Sequence, residues 1–447
     1  MSLISKIERR LALERIFRLK IKGWYFFPQI IWYMFALSMI PVSLILLFGL
    51  SFTVPILNLT INSDFVMFST WIIWWPLFFA TVFFVSRAWC GVLCPWGWAV
   101  DLGNKVRRLA NKGPLKALNL KKWGVIGPFL FLLIGYLHDA GGFTNSRIMT
   151  FEFIVFFFLF AFVIGVWLPR RSFCRGFCFL GDLPGIFGRL SPVTLKVDPN
   201  ICNTQCKDKP CLTGTKKAAQ CPTYIHIPGF DSNRHCLLCG NCIKNCPYDN
   251  IKVSFRKPAE EIEKGVDFNF FESIFPIAAI AILGTFTAME TGILTQFASF
   301  AKITQHWIAS GSFALLSLLA SFAVYILVSI ASSKIGGIRL KDALSKFGFM
   351  YLPFVYLAFV RDVIVTYAIQ GSPLVRYISE IMINYFNIFS IAFGALWSVY
   401  LGYKIMKLIS SKNALPALVP HIVFMSLLVI YWSALVPGIN LLKIVGL

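Results

Sequence analysis

Charge is scarce in this chain of 447 residues. Only 14% of them are Asp, Glu, Lys or Arg, against about 25% in an average soluble domain. Hydrophobic residues make up 57% and the mean hydropathy is +0.71. So little polar sequence cannot wet the surface of a soluble globule, and so much apolar sequence excludes a disordered chain. Acidic residues are scarcer still, 20 against 42 basic ones, for a net charge of +22. Cysteine is missing before residue 90 and after residue 246, yet twelve lie between. Disulfide frameworks spread along an exposed chain, whereas metal sites cluster in short runs. There is no heptad or short-period repeat, Walker motif, dinucleotide-binding glycine fingerprint or nucleophile elbow. Nucleotide-driven and hydrolytic chemistry therefore have no support.

Long apolar runs are what the chain does have. Crossing a hydrocarbon core of about 30 Å takes roughly 20 apolar residues. Nine stretches approach this: 26–49, 66–85, 123–137, 151–168, 274–288, 307–330, 347–368, 381–401 and 415–435. Alternate connecting segments carry 37 of the 42 Lys and Arg. By the positive-inside rule this split puts the N-terminus and the basic segments in the cytoplasm and the C-terminus outside. The first run is too long for a signal-peptide core and no small-residue cleavage pattern follows closely, so it reads as a retained anchor. The same split explains the net charge without nucleic acid as a partner. All twelve cysteines fall on the cytoplasmic side, where thiols stay reduced. The expected fold class is a polytopic α-helical membrane protein of about nine transmembrane helices with a small α+β two-cluster insert. Its expected domains are a four-helix membrane domain over 1–189, a ferredoxin-like domain over 190–257 and a five-helix membrane domain over 258–447.

The polar stretch 190–257 contains Cys236-x2-Cys239-x2-Cys242-x3-Cys246-Pro247. In this spacing three thiolates wrap one cubane and the fourth turns to a second cluster. Gly240 allows a tight approach of the backbone, and Pro247 redirects the chain. Upstream lies the stretched run Cys202-x3-Cys206-x4-Cys211-x9-Cys221-Pro222. Two-cluster ferredoxin logic assigns Cys202, Cys206, Cys211 and Cys246 to one [4Fe–4S] cluster. It assigns Cys236, Cys239, Cys242 and Cys221 to the other. The widened loops leave a [3Fe–4S] centre or an altered ligand open for the first. His226 and His235, beside these runs, read as solvent-exposed loop histidines.

Two further pairs follow apolar runs, Cys90-x3-Cys94-Pro95 and Cys174-x3-Cys178-Phe179. On a helix, residues four apart share a face, so each pair can present two sulfurs. Together they can hold a third iron–sulfur centre or a soft-metal site such as copper. Redox-active dithiols and simple buried cysteines remain alternatives. Arg87, Arg170, Arg171 and Arg175 are expected to favour thiolates there. The missing proline after Cys178 weakens the likeness of the two pairs.

Over about residues 20–260 these motifs resemble the membrane polyferredoxins of the NapH, NosR and CcoG type. The resemblance rests on Cys90-Gly-Val-Leu-Cys94-Pro95, the second pair, Cys221-Pro-Thr-Tyr-Ile-His-Ile and the gapless second run. It implies electron transfer at the prokaryotic cytoplasmic membrane, with a quinone or redox protein as partner, or maturation of copper enzymes or reduction of copper. The expanded first run, Phe179 in place of proline, and five added C-terminal apolar runs depart from the family.

Residues 268–447 lack cysteine. Arg361 and Asp362 are adjacent charges inside an apolar run, which fits either a quinone or proton site or a structural pair. Asp139, Glu152 and Glu290 read as solvated helix-end groups. His138, His306 and His421 do not form a convincing haem pair. The leading expectation is an integral membrane iron–sulfur carrier between a cytoplasmic partner and a membrane quinone or partner subunit. The alternatives are a copper-handling reductase or assembly factor, and an anchor that wires a larger redox complex. Membrane lipid is the surrounding partner in all three.

Overall fold

The computed structural model describes residues 38–54, 59–110, 130, 133–137, 146–370, 379–409 and 414–437. Most of these residues are helical. Among them, seven helices are long and apolar enough to cross a membrane: α1 (Ser63–Val85), α4 (Arg147–Trp167), α7 (Phe270–Glu290), α8 (His306–Gly336), α9 (Leu340–Ile369), α10 (Glu380–Ile409) and α11 (Leu415–Leu435). These are the helices of a multi-pass membrane protein, and each coincides with one of the expected spans. Of the other two spans, 26–49 and 123–137, most residues lie outside the described ones, as do His138 and Asp139.

The chain forms two compact units. The first comprises Met1–Val66, Thr81–Leu130 and Arg147–Glu261. Past α1 the chain breaks into the short α2 (Ala88–Val92) and the longer α3 (Pro95–Leu109). Past α4 it does the same, with α5 (Ser172–Gly176) and α6 (Phe179–Phe187). α3 and α4 pack closely because each contributes a glycine. A side chain at Gly103 would collide with the carbonyl of Phe162, and one at Gly165 with the carbonyl of Val100. Small residues bring apolar helices together where no hydrophobic effect separates them from lipid. Asn104 of α3 then anchors the end of the neighbouring segment. Its side chain accepts from the Arg170 amide at 3.0 Å and donates to the Arg170 carbonyl at 2.9 Å.

The cysteine-rich stretch is bracketed by two strands, β1 (Val193–Lys196) and β2 (Lys252–Phe255), which pair antiparallel with Val193 opposite Phe255. Little regular structure lies between them, apart from short helices such as Pro199–Thr204 and Asn241–Asn245. Asp198 caps the former by accepting from the Asn200 amide, and Pro199 occupies its first turn.

The second unit comprises Met67–Ala80, Phe131–Ser146 and Ile262–Leu447. Its most buried long helix is α7, against which Gly348 of α9 packs so tightly that a side chain would collide with the Ser273 carbonyl. Trp71 and Trp75 of α1 are buried here, edge to face with centroids 5.4 Å apart.

Replacing Gly165 with leucine should separate α3 from α4 and cost about 1–3 kcal/mol, as overpacking does. A lowered thermal midpoint in detergent, with no such loss for alanine at Gly135, where a Cβ would meet nothing closer than 3.9 Å, is the expected result.

Candidate functional site

The two helix-end cysteine pairs repeat one local design. Each begins with a left-handed residue at the end of a long helix, Ser86 at φ 50° and Arg170 at φ 52°. An arginine follows in each case, Arg87 or Arg171, and the first cysteine comes three residues later. The pairs do not share one continuous helix, as the four-residue spacing led us to expect. Cys90 and Cys174 end up inside the short helices, while Cys94 and Cys178 are the N-caps of α3 and α6. At both breaks the second cysteine amide donates five residues back, Cys94 to Trp89 at 3.0 Å and Cys178 to Phe173 at 2.9 Å. The missing proline therefore does not alter the geometry, because Phe179 starts its helix as Pro95 does.

The arginines cross between the repeats. Arg87 donates through Nη2 to the carbonyl of Cys174 at 2.6 Å, and Arg171 through Nη1 to the carbonyl of Cys90 at 3.0 Å. Glycines three residues past the second cysteines make room for them. A Cβ at Gly97 would stand 3.3 Å from the Arg171 guanidinium, and one at Gly181 would stand 2.9 Å from that of Arg87. The symmetry fails at one point. Seven residues past Cys94 stands Asp101, which pairs with Arg171 at 2.9 Å. Seven past Cys178 stands Gly185, so Arg87 has no carboxylate there. It donates instead to the Arg234 carbonyl at 3.0 Å, and its Nε has no hydrogen-bond partner. Arg87 is fully buried.

The cysteines gather in three groups of four. Cys221, Cys236, Cys239 and Cys242 line one cavity. Around Cys211 stand Cys202, Cys206 and Cys246, and around Cys178 stand Cys174, Cys94 and Cys90, each near enough to oppose ionisation of the central thiol. The groups follow one another in space. Cys211 acts on Cys242, and a side chain at Gly91 would collide with the Leu237 carbonyl and stand 3.2 Å from Cys239. Among the described residues, no three His, Cys, Asp or Glu side chains close on a point that a single ion would fill. A cubane is held by four separated thiolates, which suits sulfurs that surround a cavity.

Burial governs these thiols. It pushes Cys236 and Cys174 up to about 12, and Cys94 and Cys211 up to about 11. The expected pull of nearby arginines toward the thiolate is present, but it is not the larger effect. Arg171 and Arg87 do act on Cys174 in that direction, but desolvation outweighs them. The same arginines have a second role in crosslinking the backbone. Arg170 donates to the Cys221 carbonyl at 3.0 Å, and Arg175 to that of Thr223 at 3.1 Å. Burial works against the Arg171 charge, yet Asp101, Cys174 and Cys239 hold the guanidinium more firmly protonated than usual.

Sequence reasoning missed Asn250. Its side-chain amide donates to Cys202 Sγ at 3.3 Å and its backbone amide to Cys246 Sγ at 3.4 Å. It also missed Asn245, whose amide holds the carbonyls of Ala218 and Ala219 at 3.1 and 3.0 Å. Only their closeness to the second run marked them. His226 is exposed as expected, but His235 is half-buried. Burial and then Arg234, Arg175, Arg87 and Arg189 lower its pKa well below the ordinary value.

In the second unit, Arg361 turns mainly from Asp362, 4.0 Å away, to Glu290 at 2.7 Å and Asn387 at 2.9 Å. Glu290, expected to be a solvated helix-end group, also accepts from Thr366 at 2.7 Å. His306 is exposed, while His421 is buried and shares a 2.8 Å hydrogen bond with Tyr351. Glu152 is exposed.

Among known proteins, the family described as a 4Fe-4S binding domain matches residues 68–113, which include Cys90 and Cys94. An uncharacterized protein of Methanocaldococcus jannaschii is 25% identical over 179 residues, 37% of this chain and 63% of that protein. The chain thus spans less than two thirds of that relative. No solved structure matches. The family match supports iron–sulfur binding, and with the apolar helices it fits a membrane iron–sulfur protein.

Thiols with pKa values near 11 and 12 are protonated at neutral pH, so each must lose a proton to bind metal. Reconstitution of cluster-free protein with iron and sulfide should release protons to a pH indicator and weaken steadily from pH 8 to pH 6. Uptake independent of pH would show that these cysteines are not the ligands.

Proposed function

We propose that the chain is a membrane iron–sulfur electron carrier with three centres in series. Cys202, Cys206, Cys211 and Cys246 hold a first [4Fe–4S] cluster, and Cys221, Cys236, Cys239 and Cys242 a second. Cys90, Cys94, Cys174 and Cys178 hold the third. The observation that carries this reading is the gathering of all twelve cysteines into three adjoining groups of four. The family match over Cys90 and Cys94 supports an iron–sulfur identity for the third group in preference to copper.

Bound clusters supply one-electron chemistry. The protein places them and sets their surroundings. Asn250 directs two N–H groups at the sulfurs of the first group. The Gly181 amide donates to Cys178 Sγ at 3.2 Å in the third. Arg87 and Arg171 bring positive charge to a site that becomes negative when four thiolates bind. In this reading, supported by the split of basic residues, the cysteine-rich segments face the cytoplasm of a prokaryotic cell and the C-terminus lies outside. Electrons pass between a cytoplasmic redox partner and a membrane quinone or partner subunit at the helix ends.

Anaerobically purified protein should contain about twelve irons and as many sulfides. About eight irons or fewer, or copper retained by the helix-end cysteines, would overturn the assignment of three clusters. Charge should tune the third centre in opposite directions. Arg87→Gln should lower its midpoint potential in an EPR-monitored titration, on the order of the 59 mV that a tenfold one-electron shift represents. Arg171→Gln should lower it less, because Asp101 already offsets that charge, and Asp101→Asn should raise it.

A further inference from the structure

Lysine is the commonest charged residue in the loops that stretch the first cysteine run. Lys207, Lys209, Lys216 and Lys217 stand between Cys206 and Cys221, with Asp208 the only acid among them. Lys207, Lys216 and Lys217 are exposed and Lys209 is half-exposed. None of the four takes part in the described ion pairs. In contrast, the buried arginines around the helix-end pairs are each engaged by a carboxylate or a backbone carbonyl.

The loop is held in place over one particular group of sulfurs. Asn245, itself buried, grips the carbonyls of Ala218 and Ala219, and its side-chain oxygen accepts from the Thr215 hydroxyl at 2.5 Å. The next residue is Cys246. On the other side, the Tyr248 hydroxyl donates to the Gln205 carbonyl at 2.8 Å, next to Cys206. Lys209 carries φ 42°, a left-handed turn that starts the short helix containing Cys211. Exposure distinguishes this group from the third. Cys206 and Cys246 are partly exposed, whereas Cys90, Cys174 and Cys178 are buried and only Cys94 is partly open. Electrons from a soluble partner therefore reach the first group most directly.

We propose that this lysine-rich loop is the docking surface for an acidic one-electron carrier protein of the flavodoxin or ferredoxin class, which exchanges electrons with the first cluster. The inference rests on the iron–sulfur reading above. Weak, short-lived encounters between redox proteins depend on electrostatic steering, which raises the association rate and falls steeply with salt. The four lysines with Asp208 present a net charge of +3. In the step itself one electron leaves the reduced carrier and enters the oxidised cluster, with no bond made or broken.

The experiment compares the intact holoprotein with a variant carrying Lys207→Glu, Lys216→Glu and Lys217→Glu. Iron content and EPR spectra come first, since absent clusters would defeat the underlying reading rather than this one. Stopped-flow reduction is then followed with two donors, a reduced acidic flavodoxin and the methyl viologen radical cation. At low ionic strength the variant should accept electrons from flavodoxin at least tenfold more slowly, with a flatter salt dependence. Its reduction by the viologen cation should be faster. Slowing with both donors would mean damage to the site and would overturn the proposal. An unchanged rate with flavodoxin would also overturn it. If the substitutions altered only association with anionic lipid vesicles, the lysines would belong to a membrane surface, which again defeats the proposal.

Discussion

The reciprocal hydrogen bonds from Arg87 to Cys174 and from Arg171 to Cys90 are the constraint on which the first unit depends. Each guanidinium leaves its own repeat and holds the backbone of the other. The two helix breaks are therefore fixed to one another before any metal chemistry is considered. A buried arginine without partners would be expensive, and these have bonds to carbonyls and, for Arg171, to Asp101. The glycines at 97 and 181 are part of the same arrangement, because any larger residue would occupy the guanidinium's space.

Around this pair the unit contains further buried charge. Arg234 meets Asp182 at 2.7 Å, and Glu261 receives both Arg189 at 2.9 Å and Arg256 at 2.7 Å. Asp182, Arg189 and Glu261 are essentially inaccessible to water. Ion pairs like these add little net stability over packed apolar residues, yet breaking one leaves a buried charge exposed to a low dielectric. Their contribution is geometric. They tie α6 and the strands to the cysteine-rich stretch, whose scarce regular structure could not hold its shape alone.

Much of this was readable from the amino-acid order, and the limits have physical causes. Apolar length identified seven spans because crossing a bilayer leaves little freedom in residue count. The grouping of Cys211 with Cys246, across the second run, followed from cluster-ligand spacing. The helix breaks at Cys94 and Cys178 were not readable, since a four-residue spacing suits a continuous helix as well as an interrupted one. The pairing of Arg361 with Glu290 was also hidden, because it joins residues 71 positions apart whereas Asp362 lies next in sequence. The raised thiol pKa values depend on burial, which no local pattern of arginines reveals.

Gly91 carries a consequence out of proportion to its size. Its backbone lies so close to the Leu237 carbonyl and to Cys239 that no Cβ fits between them, so the segment carrying Cys90 rests directly against the segment carrying Cys239. Electron tunnelling falls off with distance through the intervening matter. In the proposed reading, the absence of a methyl group at Gly91 lets two clusters approach, and a bulkier residue there would hold them further apart.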